Sequence, residues 1–427
     1  MSKSKNKPIN SVKKFYFLEY FFVLLASIEK FSNEEQIFDS FKTLKEKHRL
    51  GESKYKKLTA DKDLSKTQLD RYRYTLGQVI EEAMDYELVK SGRNRTLLLT
   101  EAGKDLLRIY RTAGQEAFNL VLFQLMERTY EAFRYILKFA YASNDFKPGL
   151  LVFPIYSPRQ LGIAKRSISR TRDVQAYIEQ LIKRVEEDIK KFLGKDTDLS
   201  KHAVLIIERL SESKLLEKEP NSHLPSKNFY KIVKRIRDYW LGVLLQEFYK
   251  YDFSISSFDF WIYRGKQIGI IQATEFYPNF NGRIVYPTAI IADKVNNQDF
   301  DNIYTYDNGE SLFIHQPKAE KSVDKFVDAL VAGYFDLRRS YRSYFINLSA
   351  LREIVCYKLK ISDRTFESLL DDVYKLNIQG KLRVKIALEV DRLPEETKAI
   401  YLKREPVLVD GKIRNIIGID VSKGVRP

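Results

Sequence analysis

The sequence predicts an α+β protein of several domains, and three observations carry that prediction. Stripes of apolar residues at helical spacing alternate with short β-like runs. Turn signals such as Pro148-Gly149 and Asp410-Gly411 separate them. The chain has 427 residues and 44% hydrophobic content, enough for roughly two to four domains with cores of their own.

Charge is the strongest compositional signal. The formal net charge is +16 and the pI near 9.4. Such a surplus favours a polyanionic partner, since each phosphate neutralised releases condensed counterions. An anionic membrane surface also fits a basic chain. The lone Cys356 excludes an internal disulfide framework and fits a reducing cytoplasm. The basic start Met1–Lys14 followed by apolar Phe15–Ile28 imitates a signal peptide, but Glu19 interrupts the run and it is too short to span a bilayer. Residues 1–13 therefore read as a basic tail without fixed structure, and Phe15–Ile28 as the first helix of a domain spanning 14–110.

Within that domain, Asn33–Phe41 reads as a second helix and Lys42–Lys62 as a long charged connection. Ser65 followed by Gln68 is a capping box and starts a third helix. Leu69, Tyr72, Leu76, Val79, Ile80 and Ala83 line its inward stripe, leaving Lys66, Gln68, Arg71 and Gln78 outward. Leu88-Val89-Lys90 and Thr96–Leu99 flank the turn residues Ser91-Gly92-Arg93-Asn94-Arg95, giving a hairpin tipped by two arginines. Thr100 caps the helix that follows.

This order, closed by the phrase LLLTEAGKDLL, resembles the winged helix-turn-helix superfamily of DNA-binding proteins over residues 15–110. The resemblance implies that the helix before the hairpin enters the major groove and that the hairpin touches backbone or minor groove. Lys66, Gln68, Arg71 and Arg73 then fall on the groove side, and Arg93 and Arg95 on the wing. A winged helix used only to dock proteins is the alternative, because a fold does not fix a function.

Residues 111–145 read as a helical connector, rich in Phe, Tyr and Leu, that joins domains or mediates homodimerisation. A central α+β domain is expected over 146–345. It begins with a strand, Leu150–Tyr156, and a loop holding Arg159, Lys165, Arg166, Arg170 and Arg172 among serines and threonines, a composition suited to phosphate oxygens. The bland reading is a solvated basic loop. Asp173–Leu193 reads as a charged surface helix. In Ser226–Tyr249, Phe229, Ile232, Val233, Ile236 and Trp240 share one side, while Lys227, Lys231, Lys234 and Arg235 share the other, as phosphate contacts or as a solvated face. Phe258–Tyr263, Gln267–Thr274 and Arg283–Ile291 read as a small antiparallel sheet, turned by Arg264-Gly265-Lys266. Asp299–Gly309 reads as a polar loop and Val323–Leu337 as a helix.

Residues 346–427 repeat a winged-helix-like order: a helix at Leu348–Lys358, a second at Asp363–Leu376, a strand at Lys381–Glu389, and a hairpin across Asp410-Gly411. The second helix presents Glu367, Asp371 and Asp372, so a protein partner is expected there rather than phosphate.

Chemistry is sparse. There is no Gly-rich phosphate loop, and His48, His202, His223 and His315 lack metal-ligand spacing, so no cofactor, metal or catalytic residue is expected. A degenerate restriction-type nuclease is the one enzymatic reading, with Asp259 on one strand and Gln272-Ala273-Thr274 on the next, but the lysine it needs is replaced by Thr274. The expectation is a non-enzymatic, duplex-favouring DNA-binding protein, a recognition or scaffolding subunit of a phage-defence, restriction or mobile-element system. A transcription regulator is the competing class.

Overall fold

A computed structural model describes residues 12–51, 65–133, 150–154, 161, 163, 168–217, 219–243, 246, 255–274, 282–287, 290–292, 300–307, 311–317, 323–341, 343–359, 361–390 and 407–421. In chain order the elements are α1 (Glu19–Ile28), α2 (Glu34–Lys47), α3 (Lys66–Asp85), β1 (Val89–Ser91), β2 (Leu97–Leu99) and α4 (Glu101–Thr129), then β3 (Leu150–Pro154), α5 (Thr171–Leu193), α6 (Lys201–Glu212) and α7 (Ser226–Val243). There follow α8 (Ile255–Ile268), β4 (Ile271–Thr274), β5 (Gly282–Pro287), β6 (Ile290–Ala292), β7 (Phe300–Asp307) and β8 (Ser311–Pro317). The last group is α9 (Val323–Tyr341), β9 (Ile346–Asn347), α10 (Leu348–Leu359), α11 (Asp363–Ile378), β10 (Val384–Glu389), β11 (Val407–Val409), β12 (Lys412–Arg414) and β13 (Ile416–Val421). Helices with small antiparallel sheets make this an α+β chain. Among the described residues, no helix is long and apolar enough to cross a membrane.

The chain divides into two compact units. One gathers residues 1–149, 256–272 and 286–427, the other 150–255 and 273–285. This departs from the linear division expected from sequence, because α8 leaves the central stretch to join the amino-terminal elements.

In the first unit, local signals set the helix starts. Asn33 Oδ1 accepts from Glu35 N and Gln36 N, and Thr100 Oγ1 accepts from Gly103 N. β1 and β2 pair antiparallel, Val89 opposite Leu99. Gly103 lies so close to β1 that a Cβ there would stand 2.2 Å from the Leu88 carbonyl oxygen. The long helix α4 is broken at Gly114, whose φ of 79° and ψ of −173° suit only glycine. Before the break, Arg111 grips Glu29 with two hydrogen bonds of 2.8 and 2.6 Å, and Tyr110 stacks on Phe22. Beyond it, Phe118, Leu122, Phe123 and Met126 are buried.

Three readings are corrected in this unit. Phe258–Tyr263 is not a strand, and Arg264-Gly265-Lys266 is not a turn, because both lie inside α8. The helix is buried on nearly every side from Phe260 to Gly265, which erases the polar stripe that marks an amphipathic helix. Residues 300–307, read as a polar loop, form β7, which pairs antiparallel with β8 in a sheet ordered β6–β8–β7. Helix α9, placed with the central domain, shares one core with the carboxy-terminal elements: Phe326, Leu330 and Tyr334 cluster with Leu351, Phe366 and Ile417.

The carboxy-terminal sheet has the order β10–β13–β9, antiparallel throughout. Asn377 fastens α11 to β10 by donating to Ile386 O and accepting from Ile386 N, both at 2.9 Å. β11 and β12 form the expected hairpin, with Asp410 and Gly411 at φ of 51° and 66°, the left-handed pair of a type I′ turn.

In the second unit, β3 and β5 pair antiparallel, Leu150 opposite Val285. Its core clusters Val174, Tyr177, Ile178 and Leu181 of α5 with Ile206 and Leu210 of α6 and Ile232, Ile236 and Trp240 of α7. Helix α5 is therefore a core element with a charged outer side, which corrects its reading as a surface helix.

Candidate nucleic-acid interface

The candidate interface is built on α3. Its capping box is complete: Gln68 N donates to Ser65 Oγ at 3.4 Å and Ser65 N donates to Gln68 Oε1 at 2.9 Å. Tyr72, Leu76, Val79 and Ala83 face inward, while Lys66, Gln68, Asp70, Arg71 and Tyr74 are exposed. Gln68 is held by its cap, so it has less freedom to read a base than its outward position suggests. Arg71 pairs with no carboxylate among the described residues. Tyr74, 54% exposed one turn along from Arg71, adds an aromatic surface beside it. Periodicity marked Tyr72 as the buried tyrosine and gave no reason to single out its neighbour.

Arg73, expected on the groove side, is exposed but has a partner within the chain: it makes two parallel hydrogen bonds to Glu35, 2.9 and 3.0 Å, and its guanidinium lies 4.3 Å from the Phe38 ring centroid. These contacts join α2 to α3. The guanidinium hydrogen bonds hold the Glu35 carboxyl below its usual range, so a phosphate would have to displace an established partner. Beside this clamp, buried Lys45 packs its ammonium 3.9 Å from the Tyr72 ring centroid and 5.4 Å from that of Tyr20.

The hairpin carries the second part of the surface. Asn94 takes a left-handed φ of 56°, and Thr96 closes the tip by donating its N–H and its hydroxyl to Arg93 O. Arg93 is exposed, as are Lys90 and, at 42%, Leu98 opposite it. The Arg95 side chain lies outside the described residues. Leu97 N donates to Ser32 O at 3.1 Å, so one backbone hydrogen bond ties the segment between α1 and α2 to β2.

The far end of α3 is anchored by charge. Glu82 and Arg264 are both fully buried and meet in a bidentate pair of 2.5 and 2.8 Å. Tyr86 donates to Glu82 Oε1 at 2.6 Å, and Arg264 also donates to Lys13 O. The guanidinium sits 4.7 Å from the Phe15 ring centroid and 5.0 Å from that of Trp261. Burial pushes the Glu82 carboxyl up, against the pull of Arg264, and pushes the Tyr86 phenol well up. Every lone pair used here stiffens the base on which the exposed half of α3 stands.

Elsewhere the predicted basic positions separate. Arg159, Lys165 and Arg166 lie outside the described residues, as do the side chains of Lys227 and Lys234. Arg170 and Arg172 are exposed, with Arg172 Nη1 donating to Asn221 Oδ1 at 3.3 Å. Lys231 and Arg235 are exposed on α7, opposite the buried Ile232, Ile236 and Trp240.

In the carboxy-terminal module, the acids expected to face a partner are bound within the chain. Glu367 meets buried Arg352 at 3.3 Å, Asp371 accepts from Asp410 N at 2.9 Å, and Asp372 lies 3.9 Å from Lys375. The leading end of α11 is occupied too. Asp363 accepts from Gln272 Nε2 at 2.6 Å and lies 3.2 Å from Arg352 and 3.4 Å from Lys266, while Arg364 reaches Glu116 at 3.3 Å. Asp259, half of the nuclease layout, lies on α8 rather than on a strand, so that arrangement is not formed. No protein-family model matches this chain, and searches of curated proteins and of solved structures return no match.

Proposed function

We propose that the chain is a non-enzymatic DNA-binding protein whose residues 14–110 form a winged helix that grips duplex DNA with α3 and the β1–β2 hairpin. The observation that carries this reading is the pairing of two exposed arginines, Arg71 on the capped helix and Arg93 on the hairpin tip, with no carboxylate partner among the described residues. The local layout supports it: β2 pairs with β1 and donates one backbone hydrogen bond to Ser32 on its other side, the neighbours that a winged helix gives that strand. The carboxy-terminal module has the same order in β9, β13 and β10, behind α9, α10 and α11. In this reading the second copy has turned inward, because the end of α11 that would enter a groove is held by Lys266, Gln272 and Glu116 of its own unit. The proposed role is that of a recognition or scaffolding subunit, with duplex contact at one end of the chain.

The test is fluorescence anisotropy on a labelled duplex at two ionic strengths, for the wild type and for the combined Arg71→Glu, Arg93→Glu and Arg95→Glu variant. The wild type should lose affinity with salt at a log–log slope of about −0.9 per phosphate engaged, and the variant should bind far more weakly with a shallower slope. A wild type indifferent to salt, or a variant that binds as well as the wild type, would make the module a protein-docking device instead.

A further inference from the structure

We infer that the second unit holds a binding pocket for a 5′-phosphorylated nucleotide between α6 and α7. It is a groove open to solvent with a volume of about 420 Å³, within the range of sites that take small organic molecules rather than single ions. Its floor is apolar, formed by Ile206 and Leu210 from the core of the unit. Two arginines from different helices, Arg209 and Arg235, line it, and neither pairs with a carboxylate among the described residues. Two guanidiniums lining one groove favour a phosphate, which they can meet with planar forks of donors.

The rest of the lining rejects a bare anion in favour of something larger. The Tyr239 ring faces the cavity and carries the Arg209 guanidinium 4.8 Å from its centroid. That ring is fixed: its hydroxyl is 2.7 Å from His202 Nδ1, and it packs edge-on against Trp240. Stacked on that ring, the Arg209 guanidinium keeps its in-plane N–H donors for a phosphate, and the apolar floor is left to take a base. Glu212 and Ser213 complete the rim. The Ser213 hydroxyl donates to Leu210 O at 3.0 Å, so towards the cavity it offers lone pairs, as the Glu212 carboxylate does. A lining that holds both acceptors and guanidiniums matches a molecule that carries N–H or O–H donors as well as a phosphate. Two positive groups against one negative leave the cavity net cationic.

The same chemistry arrives as a free mononucleotide or as the 5′-phosphorylated end of a strand, and the experiment separates them. Full-length protein would be titrated calorimetrically with deoxyadenosine 5′-monophosphate, deoxyadenosine and inorganic phosphate. Anisotropy would compare a labelled single strand bearing a 5′-phosphate with the same strand bearing a 5′-hydroxyl. The monophosphate should bind at least about tenfold more tightly than either fragment, and Arg235→Ala should remove about tenfold of that affinity, the size of one charge-assisted contact. Arg235 is exposed on α7, and a circular dichroism spectrum like that of the wild type would confirm that Arg235→Ala folds. Preference for the phosphorylated strand, lost in Arg235→Ala, assigns the site to strand ends; equal binding of both strands with tight monophosphate binding assigns it to free nucleotide. If neither probe shows a dependence on Arg235, the pocket does not exist as a site. Binding that survives the Arg71, Arg93 and Arg95 reversals keeps this result independent of the duplex reading.

Discussion

Removing the guanidinium of Arg264 tests whether α3 stands on a buried ion pair. In Arg264→Met the side chain keeps its approximate length and its packing against Phe15 and Trp261, but Glu82 loses both of its guanidinium hydrogen bonds. Glu82 is fully buried, so its carboxylate would be left with the Tyr86 hydroxyl alone. Breaking one side of such a pair costs about 3–5 kcal/mol, because the abandoned charge has no water to return to. The assay is urea unfolding followed by Trp261 fluorescence in a Trp240→Phe background, since the chain has only two tryptophans. A second arm uses the sign of the titration. Burial already raises the Glu82 carboxyl, and loss of the cation raises it further. A group raised in the folded state contributes fully below its unfolded value and loses that contribution as pH rises through its folded value. The deficit of Arg264→Met should therefore be largest near neutral pH and shrink on acidification towards pH ~5. The double variant Glu82→Leu/Arg264→Met should recover most of the loss, as apolar replacement of a whole buried pair commonly does. A single variant within about 1 kcal/mol of wild type, or a double variant no better than the single, would refute the argument.

Three further outcomes follow from the same reasoning. Asp363→Asn should destabilise the carboxy-terminal module by roughly 2–3 kcal/mol in chemical denaturation, less than a full pair because Glu367 still meets Arg352. Burial of Asp363 opposes ionisation, but Arg352 and Lys266 outweigh it and hold the carboxyl below its usual 3.8. The wild-type contribution is then complete above that value and disappears as pH falls through the lower folded value, so acid unfolding curves of wild type and Asp363→Asn should converge below pH 3.8. Gly103→Ala should cost about 1–3 kcal/mol and loosen the hairpin, visible as faster amide exchange at Val89 and Leu99, because its Cβ meets a backbone carbonyl that cannot rotate away. Gly114→Ala should lower the melting temperature by removing the one residue type at ease with the break in α4, at a cost of about 1–3 kcal/mol.

What the sequence disclosed follows the range of the interactions involved. The Ser65–Gln68 box, the Asn33 and Thr100 caps and the Asp410-Gly411 turn are written within a few residues of one another, and all of them form. The pairs Glu82–Arg264, Arg73–Glu35 and Lys266–Asp363 join residues tens to hundreds of positions apart, and no local pattern announces them. This is why Arg264 reads as a turn residue in the sequence and the bond from Arg73 to Glu35 leaves no mark there. Helix α8 was misread for a related reason: its aromatic and β-branched run has strand-like composition, and burial on nearly every side removed the polar stripe. In the candidate interface, Arg71 and Arg93 were legible because exposure follows from period and turn chemistry. Arg209 was not, since its meaning depends on Arg235 of a different helix.

Helix α3 runs unbroken for 20 residues, about 30 Å. Its outward arginine and its anchored glutamate, Arg71 and Glu82, are about 16 Å apart on a single rod. Such a rod cannot yield at one end alone. Any force that levers the exposed half must drag a sealed carboxylate against its counter-ion, so the helix resists tilting, and its footing is an arginine 182 residues downstream that is fully buried.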